Sequence, residues 1–301
     1  MTPAHLRVRS FCKVNLALEV LGRRADGFHE IRTVYQSIDL HDELEFHPCA
    51  EITLECRDLP DVGPQQNLVW MAASALARKV SGRHGARIIL RKNVPSGAGL
   101  GGGSGNAAAT LLALCRFWGI EVASSELQAV AASLGSDVPF FLRGGTALGA
   151  GRGEEIYALP EPAPANLVVV FPGIHIPTAQ AYQSLNLGLT SLRSAHRIQN
   201  FCSLLQSGAK CRAAGFNDFE APILSAYPVV REAKKLLEDH GASAALLSGS
   251  GSSVFGFFFD EESALAASRA ISRDAWRVFP AKTLSSAEYP HSMFGSQPEA
   301  G

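Results

Sequence analysis

The stretch NVPSGAGLGGGSGNAAATLL, residues 93–112, sets six glycines just ahead of a run of small and apolar residues. Each glycine costs roughly 1 kcal/mol relative to alanine inside a regular element. So many at one helix start imply a need for bare backbone. Consecutive N–H groups converge on an anion only where side chains do not block them, and a helix N-terminus adds unpaired N–H groups and partial positive charge. Loop plus helix is therefore a phosphate cradle, to which Ser104 and Asn106 can add side-chain contacts to phosphate or Mg²⁺. A second glycine stretch, LSGSGSSVFG at residues 247–256, reads by itself as a turn between two strands. Asp137, two residues before Pro139, suits a helix N-cap and equally suits proton transfer. Lys13 interrupts an otherwise apolar, strand-like segment. An unpaired buried ammonium is costly, so it either meets an acid inside or lies at a surface strand edge.

These residues need positioning elements. RVRSFCKVNLALEVLG, EIRTVYQSIDL, DELEFHP and EITLEC read as four strands within the first 60 residues. Asn67 caps a helix over LVWMAASALARKV, with Leu68, Ala72, Ala75, Leu76 and Val80 on one stripe. ARIIL is the strand before the glycine loop, and residues 104–118 form a buried helix. SSELQAVAASLG is a further helix, with a capping box from Ser125 and Gln128 and a stop at Gly135. Three prolines in LPEPAPAN, residues 159–166, mark a linker. It divides the chain into domains 1–160 and 161–285, with 286–301 as a flexible polar tail. Beyond the linker the order is β-α-β-β-α-β, with extra helices in the first crossover, which predicts a ferredoxin-like domain.

The chain has 301 residues, 47% hydrophobic and 18% charged, so it is globular and long enough for about two domains. A net charge of −1 offers no field for nucleic acid or an anionic membrane. No apolar run reaches a membrane span, no secretory leader is visible, and the six cysteines are scattered without a C-x-x-C. These features predict a cytoplasmic protein with reduced thiols. The nine histidines are dispersed, and no metal-ligand spacing stands out.

The loop fails the Walker A pattern, because no lysine follows its glycines. Gly97, Gly99 and Gly102 satisfy G-x-G-x-x-G literally, but six residues separate the strand from the first glycine. Pro95-Ser96-Gly97-Ala98-Gly99-Leu100-Gly101-Gly102-Gly103-Ser104-Gly105, followed by Ala107 and Ala108, instead resembles the nucleotide loop of the GHMP kinase superfamily. Beside it, Ser248, Gly249 and Gly251 resemble that superfamily's third motif, which lies against the nucleotide loop. SFCKVNLALEVLGRRADGFHEI, LGSDVPFFLRGGTALGAGRGE and NDFE resemble the motifs of one branch, the 4-diphosphocytidyl-2-C-methyl-D-erythritol kinases of non-mevalonate isoprenoid synthesis. Ser10 and Cys12 replace the usual Pro and Ala, Phe28 the commoner Tyr, and Gly105 a usual Ser.

The resemblance implies an α+β, two-domain GHMP kinase fold, with an N-terminal domain like domain 2 of ribosomal protein S5 and a ferredoxin-like C-terminal domain. It implies ATP as phosphoryl donor, Mg²⁺ held mainly through phosphates, and a cytidine-diphosphate sugar alcohol as acceptor. Lys13 and Asp137 are then the catalytic pair, Asp137 receiving or orienting the hydroxyl proton. Phe28 is expected to stack on cytosine, His29 to read its edge, and Tyr182 to close the clamp from the second domain. Asn15 and Thr178 are expected at the substrate. Lys92 and Asn67 are expected at the adenosine, although Asn67 is also a good helix cap. Alternatives are another small-molecule GHMP kinase, of homoserine or mevalonate type, and a catalytically silent nucleotide-binding homologue.

Overall fold

Strand β1 (Leu6–Arg23) begins in alternation, Leu6 and Val8 buried and Arg7 and Arg9 exposed, then runs buried from Ser10 to Val20. A strand reads that way where it passes from a solvated edge to a position covered on both faces. The computed structural model describes residues 5–58, 62–82, 84–185, 197–206 and 214–295. Strand β2 (His29–His47) pairs antiparallel with β1 along its whole length. The sequence reading divides it in two near Leu40. There the register jumps from Phe11↔His41 to Cys12↔Ile38, so Asp39 and Leu40 bulge out of the ladder without ending it.

β3 (Ile52–Glu55), α1 (Leu68–Ala77), β4 (Ala86–Arg91), α2 (Gly102–Trp118), α3 (Ser124–Leu134), α4 (Val138–Phe141), β5 (Thr146–Ala150) and β6 (Glu155–Ala158) follow. The second half contains β7 (Asn166–Phe171), α5 (Thr178–Ser184), α6 (Arg197–Gln206), β8 (Phe216–Asn217), α7 (Glu220–Ala226) and α8 (Pro228–Asp239). Then come β9 (Ala244–Leu247), β10 (Val254–Phe258), α9 (Glu261–Ile271), β11 (Arg277–Lys282) and α10 (Glu288–Phe294). The first sheet runs β3-β4-β2-β1-β8, with β5 joining β2 to β6. The second runs β11-β7-β10-β9, all neighbours antiparallel, the strand order of a split βαβ domain. Cys12, Val14 and Leu16 of β1 form one apolar cluster with Leu167, Val169, Phe255 and Phe257 of the second sheet. Burial of that seam fixes the two sheets against each other.

Two expectations are corrected. No side chain caps α3: its N-cap is Ala123, and the capping box of Ser125 and Gln128 does not form. The segment after Ser285 is not a loose tail, since it returns to the first domain as α10, which buries Tyr289 and Met293 beside Phe140 and Phe141. Tyr289 Oη donates to the Phe141 carbonyl at 3.0 Å, and Leu284 N donates to Ser37 O at 2.9 Å. Two core residues in seven make a faint helical stripe, so tertiary packing rather than propensity holds this helix. Residues 296–301 lie outside the described residues. No helix among the described residues is long and apolar enough to cross a membrane.

Candidate active site

The glycine loop joins β4 to α2 and forms one end of a cleft of about 760 Å³ between the two domains. Five successive carbonyls of the loop are engaged by the protein. Gly97 O meets His175 Nδ1 at 3.1 Å, and Ala98 O accepts Ser253 N at 3.1 Å. Gly99 O accepts Lys13 Nζ at 2.9 Å and Ser248 Oγ at 3.0 Å. Leu100 O accepts Lys13 N at 3.0 Å, and Gly101 O accepts Gly105 N at 2.8 Å. With its acceptors spent, the loop presents donors, which is what a phosphate needs. Glycine is required where φ is +80° at Gly99, since a Cβ there would lie 2.2 Å from Ser248 O. The second glycine stretch therefore abuts the first directly. Asn217 Nδ2 fixes it by donating to Leu247 O and Gly249 O, each at 2.8 Å.

Lys13 and Asn15 point from the same face of β1 into the cleft. Lys13 is buried, and its ammonium donates to Asn15 Oδ1 at 2.7 Å as well as to Gly99 O. Asp137 Oδ2 lies 3.7 Å from Nζ, an ion pair rather than a direct hydrogen bond. Burial pushes the Lys13 ammonium below the ordinary lysine value, and the Asp137 charge pulls it part of the way back. Asp137 occupies the N-cap position of α4, but its side chain makes no capping bond. Instead its Oδ1 accepts the phenol of Tyr35 at 2.9 Å. Burial first, then the Asp137 charge, hold that phenol well above its usual value, so Tyr35 stays a donor.

The far end of the cleft is aromatic. His29, at the start of β2, stacks on Tyr182 of α5 with ring centroids 4.2 Å apart and planes 16° apart. Burial and the nearby Arg23 charge lower the His29 imidazole below its ordinary value, leaving a neutral ring. Phe28 lines the same cleft but is 52% exposed, and its ring carries the Arg152 guanidinium 4.8 Å from its centroid. Thr178 opens α5 and lines the same cleft.

Residues 67–145 match the family model of the GHMP kinase N-terminal domain, and residues 194–277 match that of the GHMP kinase C-terminal domain. A 4-diphosphocytidyl-2-C-methyl-D-erythritol kinase of Solibacter usitatus is 43% identical over 91% of this chain and 87% of its own. The chain belongs to that kinase family, within the GHMP kinases. A crystal structure of 4-(cytidine 5'-diphospho)-2C-methyl-D-erythritol kinase superposes with a TM-score of 0.78 at 33% identity, covering 92% of this chain and 99% of that one. Homoserine kinase from Cytophaga hutchinsonii shares the fold, with a TM-score of 0.72 at 19% identity, covering 95% and 96%.

Several residues of this kinase stand elsewhere than expected. Lys92 does not line the cleft: it is turned under the first turn of α2, where it pairs with Asp42 and donates to Asn106 Oδ1 at 3.1 Å. Asn106 is likewise buried and donates to Asp42 and to Ser10 Oγ, so it is not free for phosphate or metal. Asn67 serves as a cap, its side chain accepting Val69 N at 3.0 Å. Sequence reasoning passed over Asp42 and Tyr35. Asp42 Oδ1 accepts Asn93 N and Val94 N, aiming the chain into the glycine loop. The sequence carries no signal for it, because Asp39, His41, Glu43, Glu45 and His47 surround Asp42 in the same strand. The histidines are also not all dispersed, because His5 and His47 meet beside Glu45 on the first sheet.

Proposed function

We propose that this chain transfers the γ-phosphoryl group of ATP to the 2-hydroxyl of 4-diphosphocytidyl-2-C-methyl-D-erythritol, an isoprenoid precursor. The observation that carries the reading is the order of groups along one cleft. A donor loop stands at one end, Lys13 and Asp137 between, and the His29–Tyr182 pair at the other. Triphosphate binds the loop and the start of α2, its charge met by backbone N–H groups and Lys13. Asp137 Oδ2, the carboxylate oxygen not taken by Tyr35, takes the acceptor's proton or aligns its lone pair. The new O–P bond forms as the bond to the β-phosphate oxygen breaks, and ADP leaves. Lys13 supports the charge on the transferred group. The cytosine inserts at the aromatic end, where flat faces and a neutral imidazole suit a base.

Mg²⁺ fits this arrangement as a phosphate-held ion, because Asp137 is the one carboxylate among the described residues lining the cleft. It would neutralise charge on the phosphates. The free thiols of Cys12, Cys49, Cys115 and Cys202 support action in the reducing cytoplasm. Cys211 lies outside the described residues.

The test is ATP-dependent phosphorylation of the cytidyl compound, with free methylerythritol, homoserine and mevalonate as controls. Turnover of the cytidyl compound alone is expected. Turnover of a control in its place would overturn the acceptor, and ATP binding without any turnover would overturn the catalytic reading.

A further inference from the structure

A second cluster of chemistry-bearing side chains lies outside the cleft, at the solvated ends of β1 and β2. The ladder pairs Leu6 with Phe46 and Arg7 with Glu45. One step further along, His5 stands opposite His47. Because side chains alternate, Leu6 and Phe46 enter the core while His5, Glu45 and His47 share the outer face. Their ligand atoms all lie within 4.8 Å of one another. His47 Nε2 is 3.7 Å from Glu45 Oε2, and the two imidazole centroids are 5.0 Å apart. The two oxygens of Glu45 are not equivalent. Oε1 is claimed by Arg91 Nη1 at 2.5 Å, with Arg7 Nε at 3.9 Å, whereas Oε2 is turned toward the imidazoles.

We propose that His5, Glu45 Oε2 and His47 bind one divalent transition-metal ion of the zinc class. Two imidazole nitrogens and one carboxylate oxygen favour zinc, cobalt or nickel over magnesium or calcium. Metal–ligand bonds of about 2.0–2.2 Å bring tetrahedral ligand atoms to about 3.3 Å from one another. Small rotations of His5 and His47, neither of them buried, close the present gap. Arg91 supplies the outer hydrogen bond that orients a ligating carboxylate, and the Arg7 charge stands nearby. The fourth position stays open to solvent. The bound ion would tie the first residues of β1 to the last of β2, the strand pair on which Lys13 and Tyr35 are carried.

The experiment is calorimetric titration of the full chain with zinc chloride, without nucleotide, alongside thermal unfolding with and without the ion. One zinc per chain and a raised unfolding midpoint are expected, since a ligand of the folded state stabilises it. His5→Ala and His47→Ala should each weaken binding at least about tenfold, no less than loss of an outer-shell partner costs. Cys49→Ser, which removes an exposed thiol near His47, should leave binding unchanged, and magnesium chloride should not reproduce the shift. Absence of saturable zinc uptake, unchanged affinity in the histidine variants, or loss of binding in Cys49→Ser would each overturn the proposal.

Discussion

The two ends of the cleft are built from different materials. At the phosphate end the ligand-facing surface is backbone, and each carbonyl from Gly97 to Gly101 has its place inside the protein. At the base end the surface is side chain, with His29 and Tyr182 stacked across the domain seam and Phe28 half outside it. A backbone surface is fixed once the chain is fixed. A side-chain surface is decided by rotamers and by neighbours such as Arg152. Activity should therefore fall steeply and globally when the first end is altered, and acceptor affinity should fall selectively when the second is.

The largest effect is expected where the two ends meet. Asp137→Asn should fold and bind ATP yet lose turnover by at least about a hundredfold, the lower range for removal of a general base. Near-normal turnover would remove Asp137 from the chemistry. Gly99→Ala should cost about 2 kcal/mol from the left-handed conformation alone and also force the loop off Ser248, read as a lower urea midpoint with weakened ATP binding. Unchanged ATP affinity there would break the idea of a backbone-built end. Tyr182→Ala should raise KM for the cytidyl substrate about tenfold with kcat nearly intact, the scale of one base stack. Phe28→Ala should cost only about threefold, because an exposed ring under a guanidinium contributes little. The reverse order would mean that Phe28 is the main stacking face after all.

The smallest effect concerns pH. Burial lowers Lys13 below its ordinary 10.5, so the alkaline limb of kcat should lie below that value. A pH–rate profile that stays flat beyond 10.5 would count against a charged Lys13 in the transition state. Stability runs the other way. Between the lowered folded value and 10.5 the unfolded chain holds the proton that the folded chain has released, so this residue's contribution to stability rises with pH.

What the sequence discloses follows the same division. The glycine loop is legible because its requirement is local: bare backbone, positive φ and a helix start within a dozen residues. Lys13 is legible as a charge that does not belong in an apolar strand without a reason, whereas Asp137, an ordinary N-cap type, is legible only through the motif around it. Tyr35 is not legible, because its bond to Asp137 spans 102 residues and exists only once β2 and α4 are packed together. Asp42 is missed for a similar reason, and with it the inward turn of Lys92, since four of its partners lie 50 to 64 residues away. The facing of Phe28 depends on Arg152, more than a hundred positions along the chain.

Helix α10 has a consequence for the order in which the molecule is made. The first domain's core includes Tyr289, whose ring occupies the space where a Cβ on Gly144 would stand. Every strand and helix of the second domain emerges from the ribosome before that ring does. Vectorial synthesis thus delivers the amino-terminal half with a gap in its interior, and a helix made only after the whole second domain plugs it. The nascent amino-terminal half is the part that must wait, exposing apolar surface to chaperones until the carboxyl-terminal segment arrives.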